Sequence, residues 1–542
     1  MFFVVACVVV LLLAASVAMA AKPTRVLIIT MDQMKPWYAE QYGMTNMLWL
    51  QNNGVNFDKA YVGQMASETV VSHNTMVSGL FPKHMGWSDE VLRDVDGVLG
   101  YGSGKIVTTG DLSYAQFVQL IEHYNYPKLG DYMHQAFPDK IVANFGEKKY
   151  QVNSTAASSS DYWAYMGAKF TNSDPTFLPW LGKYRVPEGN LPSYIASDKR
   201  FLISSGNASD AYGSTSAAPS FLYPEDGRYA PGPYPTNLSG DAWVADAAIK
   251  VMEDPDSDWS AMHLNFSGID KIGHMWGGGP VDTVAWDPTN LMTEIHMTFI
   301  AKNADDQLGK LIRRLDQLGQ LKETLIVVTA DHASTYAEKP HYVNVSGGGD
   351  QSWYYDPNNV AANTTYGRSG FNNAAVLAPL NATSNVAYSY QSTAIETWLI
   401  DQSWTKKLAC ADVMRTLPDV IATYARDGDK YVLISQSATM TASERAWWTE
   451  RGQELVDTMA FAGAADVVGL LADRTSYGVY GDHGGAQKDV QSVPMVFYTP
   501  GMKHLVRGTK FRTVDIMPTV LRTMGIAPTA PMDGTAYNLP IK

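Results

Sequence analysis

The chain has 542 residues, and 41 Lys and Arg against 54 Asp and Glu give it a formal charge of −13. One ordinary core stops growing near about 250–300 residues, so this length implies two domains or one large core with long insertions. At 46% hydrophobic and 18% charged the composition is globular and excludes extensive disorder. No run of Lys or Arg occurs, which argues against nucleic-acid backbone binding, and two cysteines, Cys7 and Cys410, exclude a disulfide framework and any cysteine-built metal site.

In chain order, residues 2–20 are apolar apart from Ser16 and end Ala18-Met19-Ala20, the small-x-small pattern of a signal peptidase site. Residues 1–20 are therefore expected to be a signal peptide and the product to be secreted, periplasmic or extracellular. An uncleaved anchor is the alternative, because 19 apolar residues almost span a bilayer. No Lys or Arg precedes the run, and no later stretch is apolar enough to span. Seven N-x-S/T sequons occur, at Asn153, Asn207, Asn237, Asn265, Asn344, Asn363 and Asn381.

Residues 24–30 (TRVLIIT) form a β-branched run that predicts a buried strand, closed by Asp32. Residues 44–51 predict a helix that stops at Gly54, and 112–136 are helical in pattern. From about 150 to 240 the chain turns rich in Ser, Tyr, Pro and Gly and reads as an irregular insertion. A helix over 242–252 and a strand over 259–266 (WSAMHLNF) follow. Ile300, Ala304, Leu308, Leu311 and Leu315 keep helical spacing up to Gly319. Residues 325–330 (LIVVTA) predict a strand, about 340–477 a cap-like insertion, 493–499 a strand, and VDIMPTVLRTMG a final helix with Pro518 in its first turn. The expectation is an α/β fold: a doubly wound, largely parallel sheet with helices on both faces in one catalytic domain, 21–542, interrupted by the two insertions.

Asp and His gather where strands end. Asp32 follows the first strand, Asp270 and His274 follow the strand at 259–266, and Asp331 and His332 follow LIVVTA. Open parallel sheets bind ligands beyond the carboxyl ends of their strands, so three such ends predict one shared site. Singly each signal has a bland reading: a capping Asp, one turn of exposed helix, or a loop histidine such as His483 in GDHGG.

Residues 66–87, ASETVVSHNTMVSGLFPKHMGW, decide between these readings. They contain Thr69, Ser72-His73, Ser78-Gly79, Phe81-Pro82 and Met85-Gly86, and with Asp32, the Asp270/His274 pair, Asp331-His332, His483 and the closing segment they resemble the alkaline phosphatase superfamily. Within it the pattern is most similar to the type I phosphodiesterase and nucleotide pyrophosphatase branch. The resemblance runs over about 25–110, 240–340 and 480–537, and it implies an alkaline phosphatase-like fold. It also implies two divalent metal ions, one on Asp32, Thr69, Asp331 and His332 and the other on Asp270, His274 and His483. Mixed Asp/His ligation suits Zn²⁺, with Mn²⁺ or Fe compatible. Thr69 would be the nucleophile, forming a phospho-threonine that water later hydrolyses. Two ions and three carboxylates leave a positive centre, so the substrate is expected to be a small phosphate ester.

The chain departs from the pattern at Val71-Ser72, where that branch has Pro-Asn, and at Glu90, where it has an Asn that donates to a phosphoryl oxygen. An ionised carboxylate cannot donate, so Glu90 is either displaced in register or faces a cationic or hydroxylated substrate. Lys35 and Lys271 lie near ligands in sequence and could supply positive charge. Trp163, Tyr165, Trp180, Trp353, Tyr354 and Tyr355 in the insertions could stack a ring. A phosphomonoesterase is the main alternative. A sulfatase is disfavoured because Thr69 cannot yield formylglycine, and a non-catalytic binding protein because every expected ligand is present.

Overall fold

The computed structural model describes residues 22–165, 170–172, 183–185, 188–196, 203–204, 223–224, 239–276, 291–336, 339–340, 344–345, 370–371, 374–478 and 481–541. The signal-peptide segment, Trp180, Trp353, Tyr354, Tyr355 and the sequons at Asn207, Asn237 and Asn363 lie outside these residues. Among the described residues no helix is long and apolar enough to cross a membrane.

The main sheet has nine strands: β1 (Arg25–Met31), β2 (Val55–Phe57), β3 (Ile141–Gly146), β4 (Tyr162–Tyr165), β5 (Glu188–Asn190), β6 (Trp259–Phe266), β7 (Thr324–Thr329), β8 (Met495–Tyr498) and β9 (Leu505–Arg507). Their spatial order is β9-β2-β8-β7-β1-β6-β3-β4-β5. The centre, β7 to β4, is parallel throughout. β8 runs antiparallel to both β7 and β2, and β5 antiparallel to β4. Every residue of β6 and β7, and all of β1 after Arg25, is buried. Successive side chains point to opposite faces, so full burial means that both faces are covered.

The helices that matter for the site are α1 (Thr69–Ser78), α2 (Lys149–Ala156), α3 (Ser239–Glu253), α4 (Gly268–Trp276), α5 (Leu291–Gln317) and α6 (Ile516–Met524). Leu308, Leu311 and Leu315 of α5 and Trp243 and Val244 of α3 join the strands in one core. The predicted stop of α5 holds: Gly319 has φ +69°, and Gln320 N–H returns to Leu315 O at 2.9 Å.

The stretch that reads as irregular from about 150 begins with two regular elements, α2 and the central strand β4. The sequence hides α2 (KYQVNSTA) because six of its eight residues, Gln151 to Ala156, are buried, leaving no apolar stripe. Its polar side chains bond inward instead: Asn74 Nδ2 donates to Ser154 Oγ at 2.8 Å and Asn144 Nδ2 to Thr155 Oγ1 at 2.6 Å. Buried Lys128 grips the other end, donating to Ser154, Thr155 and Ala157 carbonyls at 3.0, 3.0 and 2.7 Å.

Residues 386–471 build a second sheet of five antiparallel strands with its own core around Trp398, Tyr424, Leu455 and Val468. The hairpin joining Val386–Gln391 to Ala394–Leu399 reaches the main sheet's loops, and Thr393 N–H bonds His483 O at 3.1 Å.

Candidate catalytic site

The carboxyl ends of β1, β6 and β7 are neighbours, and β1 lies where the chain order reverses, the place where doubly wound sheets bind ligands. Asp32, Asp270 and Asp331 are delivered there by the three strands, all at most 2% exposed. Asp270 sits in the first turn of α4 with His274 one turn on, so one helical face presents both: His274 Nε2 is 3.1 Å from Asp270 Oδ1. Gly273 between them has a packing reason. A Cβ there would lie 1.9 Å from Gln33 Oε1, and Gln33 Nε2 donates to Asp270 Oδ1 at 3.2 Å.

Thr69 opens α1, a helix buried along its whole length that ends at Gly79 with φ +74°. Its hydroxyl thus stands at a helix N-terminus, where unpaired N–H groups favour anions. Thr69 Oγ1 lies 3.3 Å from His332 Nε2.

Two groups of potential ligands converge among the described residues: Asp32, Asp331 and His332, and separately Asp270, His274 and His483, the ligand atoms of each within 4.8 Å of one another. The donor atoms fit metal ions. His332 Nδ1 faces Ala333 O at 3.2 Å, a contact only Nδ1–H can make, so Nε2 carries the lone pair. Burial pulls His332 well below the ordinary imidazole value, keeping it neutral. Asp32 Oδ1 and Asp331 Oδ2 face that nitrogen at 3.5 and 3.4 Å, and both are buried oxygens that accept no hydrogen bond. Buried acceptors aimed at one another are costly unless a cation lies among them. In the second group His483 turns Nδ1 to Glu68 Oε2 at 2.8 Å and Nε2 towards Asp270 Oδ1 at 3.5 Å, the orientation by which an outer carboxylate holds a ligating imidazole.

The charges respond accordingly. Burial, then Asp270 and Asp331, raise Asp32 well above the usual carboxylate range, and burial pushes Asp331 up to about 6. Burial also pushes Asp270 up, but His274 and Lys148 outweigh it and hold it well below that range. Burial opposes a charged His483, yet Glu68 and Asp270 hold it well above the ordinary histidine value.

Lys148 is the residue the sequence reading missed. It caps α2, and its Nζ lies 2.9 Å from Asp32 Oδ2, 2.7 Å from Asp270 Oδ2 and 2.9 Å from Thr69 Oγ1. Burial works against its charge, but Asp270 and Asp32 raise it well above the normal lysine range. Glu68 was missed as well: its Oε1 also accepts from Tyr390 OH at 3.2 Å, tying the residue before Thr69 to the second sheet. Asn265 Nδ2 donates to Asp32 Oδ2 at 3.2 Å, and His73 Nε2 backs Asp331 Oδ2 at 3.4 Å. Asn265 and Asn153 are 0% and 2% exposed, so neither sequon can carry a glycan in the folded chain.

A cavity of about 510 Å³ opens onto Thr69, Asp270, His274 and His483, with Lys148, Tyr150, Tyr390 and Ser392 in its walls. Glu90 lines it, its Oε1 3.5 Å from Val70 N, so it does sit beside Thr69. Burial, and next the Glu68 carboxylate, push Glu90 up to about 8, which leaves it protonated and able to donate at neutral pH. Lys271 lines the cavity too, paired with Glu147. Lys35 does not; it faces a different cavity. Trp163 stacks on Tyr114 at 4.3 Å, and neither it nor Tyr165 reaches the catalytic cavity.

Residues 26–346, which contain every one of these residues except Tyr390, Ser392 and His483, match the type I phosphodiesterase / nucleotide pyrophosphatase family. The chain belongs to that family. Alkaline phosphatase PhoK of Sphingomonas sp is 21% identical over 556 residues, covering 96% of this chain and 92% of that protein. Two solved structures share the fold. Wild-type alkaline phosphatase PafA has a TM-score of 0.58 at 16% identity, covering 93% of this chain and 96% of its own. Murine ectonucleotide pyrophosphatase / phosphodiesterase 5 has 0.52 at 12%, covering 94% and 97%. The chain is a metal-dependent phosphoester hydrolase with an alkaline phosphatase-like fold.

Proposed function

We propose that this chain is an exported phosphoric ester hydrolase of the phosphodiesterase and nucleotide pyrophosphatase type. Thr69 is the nucleophile, and the two ligand groups, the first completed by Thr69, hold two divalent ions, zinc above all. The observation that carries the reading is the position of Thr69 Oγ1, 3.3 Å from the lone-pair nitrogen of His332 and 2.9 Å from Lys148 Nζ. Ions bound there supply the positive charge that lowers the pKa of a hydroxyl and offsets that of phosphoryl oxygens.

Thr69 Oγ1 attacks phosphorus; a new O–P bond forms as the bond to the leaving oxygen breaks, and that oxygen departs with a proton. Water then cleaves the phospho-threonine and restores the hydroxyl. The α1 N-terminus favours the anion, and Lys148 steadies negative charge on Oγ1. Protonated Glu90 can donate to a phosphoryl oxygen, the part an Asn plays in the resembled pattern. Export rests on residues 1–20 of the sequence.

One observation favours a second reading, a phosphomonoesterase. Lys148 adds a buried cation beside the nucleophile, which suits the dianion of a monoester better than the monoanion of a diester. Alkaline phosphatase PhoK is a relative in that class, whereas an inactive mutant of murine ectonucleotide pyrophosphatase / phosphodiesterase 5 has been solved in complex with AMP. Zinc-loaded residues 21–542 should be compared on p-nitrophenyl phosphate and its bis-ester, with Thr69→Ala as control. Faster turnover of the bis-ester supports the diesterase, faster turnover of the monoester the second reading. Activity that survives in Thr69→Ala removes the nucleophile assignment.

A further inference from the structure

A larger cavity, about 860 Å³, shares no lining residue with the catalytic one. Its walls carry six cations, Lys35, Lys59, Arg451, Arg474, Lys488 and Lys510, against Asp58, Glu450, Asp473 and Asp489, an excess of positive charge in a protein of charge −13. Lys510 and Arg451 are occupied by Glu450, and Arg451 also by Glu454. Among the described residues Lys35, Lys59 and Lys488 form no ion pair within 4 Å, although the Asp489 carboxylate of the same cavity favours the charge of Lys35. Lys35 is the telling one. It is 5% exposed, lines the cavity, and contacts the face of Trp37 at 5.7 Å to the ring centroid, and among the described residues its ammonium has no hydrogen-bond acceptor. The stem of Lys35 is buried and its head lines the cavity, where an anion can partner it. Burial lowers it to about 8, so it is still largely charged at neutral pH. Trp37 and Trp447 are partly exposed walls of the same cavity.

The cavity also touches the segments that hold the candidate metal ligands. Lys35 is three residues past Asp32. Lys488 and Asp489 belong to a turn whose Val490 O accepts Ala333 N–H at 2.8 Å, next to His332. Asp473 and Arg474 lead into Ser476, whose hydroxyl bonds Asp482 beside His483.

We propose that this cavity is a second, non-catalytic site for a phosphate-type oxyanion. The oxyanion sits among Lys35, Lys59 and Lys488, and any ring it carries lies against Trp37 and Trp447. Its occupancy is felt at Asp32, His332 and His483 through the three connections above. The ammonium groups supply charge-assisted hydrogen bonds to phosphate oxygens, and the volume fits a nucleotide-sized molecule.

The test is calorimetric titration of the zinc-loaded full-length Thr69→Ala chain, which cannot turn the probe over, with inorganic phosphate and separately with AMP. Two equivalents are expected for at least one probe. Adding Lys35→Met or Lys488→Ala should weaken one equivalent about 10- to 100-fold and leave the other unchanged. Lys488 is exposed, so that variant carries the test should Lys35→Met fold poorly. If phosphate alone fills the second site, the effector is the free anion; if only AMP does, the ring is part of recognition. In the chain with Thr69 intact, the effective probe should lower kcat for p-nitrophenyl phosphate as well as raise KM, and Lys488→Ala should reduce this to pure competition. A single equivalent for both probes, indifferent to Lys35→Met and Lys488→Ala, overturns the proposal, and so does pure competition in the unmodified chain.

Discussion

Two groups of buried carboxyls lie on either side of Glu68, and the protein resolves them in opposite ways. At the carboxyl edge of the parallel sheet, Asp32, Asp270 and Asp331 are surrounded by His274, His332, His483 and Lys148. On the other side lie Asp89 and Glu396, 0% and 1% exposed, each acting on the other's pKa, and among the described residues neither has a cationic side chain within 4 Å. Burial, then Glu396, raise Asp89 well above the usual range, and burial pushes Glu396 up to about 8. The first group is balanced by cations and offers lone pairs to metal ions. The second is pushed towards its protonated form and brings no imidazole lone pair to a ligand. Acidic residues in proximity do not make a metal site; imidazole lone pairs aimed at orphaned oxygens do.

The contrast can be broken at its strongest point first. Thr69→Ala should cut turnover by at least about 10³-fold while metal content stays near that of the parent; a large loss of metal would make Thr69 mainly a ligand. His483→Ala should lose one of two metal equivalents by elemental analysis and about 10²-fold in activity. Two tightly held ions in that protein would show His483 to be misassigned. Lys148→Met should lower kcat/KM for the monoester about 10- to 100-fold and for the diester less. An equal loss on both would place Lys148 on the nucleophile rather than on the substrate's extra charge.

Two smaller effects concern protons. Glu90 should donate below about pH 8 and lose its proton above it, so activity should fall there and Glu90→Gln should remove that fall. An unchanged alkaline limb excludes Glu90 as its origin. For Glu396 the folded pKa is raised above the unfolded value of 4.5, so the folded state binds more protons and stability decreases as pH rises from about 4.5 to about 8. At about 1.4 kcal/mol per unit, the fall should amount to a few kcal/mol, and Glu396→Gln should flatten it in denaturation measured across that window. A slope identical to the parent's would remove the proton from the pair.

Asp32, Asp331 and His332 were legible because each follows a strand with a clear β-branched run; Asp270 and His274 follow the apolar strand WSAMHLNF at one-turn spacing, and His483, in the loop GDHGG, was legible only through the family resemblance. Lys148 was not, because the signal for its helix is amphipathicity and α2 is buried along most of its length. Glu68 looks like any residue before a helix; only folding brings His483 to it from 415 positions away. The five-stranded sheet of residues 386–471 was equally hidden. VIATYARD is buried at all but its last residue, so no alternation marks it, and its pairing partners are set by tertiary contacts rather than by local pattern.

The hairpin at Tyr390 to Thr393 has a consequence for the engineering of specificity. It adds Tyr390, Gln391 and Ser392 to the catalytic cavity, yet it belongs to a sheet with a separate core. With Tyr390 and Thr393 kept, because they hold Glu68 and His483, the side chains of Gln391 and Ser392 can therefore be varied with little disturbance to the β1, β6 and β7 ends that hold Asp32, Asp270 and Asp331. A library at those two positions samples new leaving groups while the contacts to Glu68 and His483 stay in place. The same diversity introduced in α2 would loosen the buried lattice of Asn74, Lys128 and Asn144 that fixes Lys148, and most of its members would lose the centre along with the old preference.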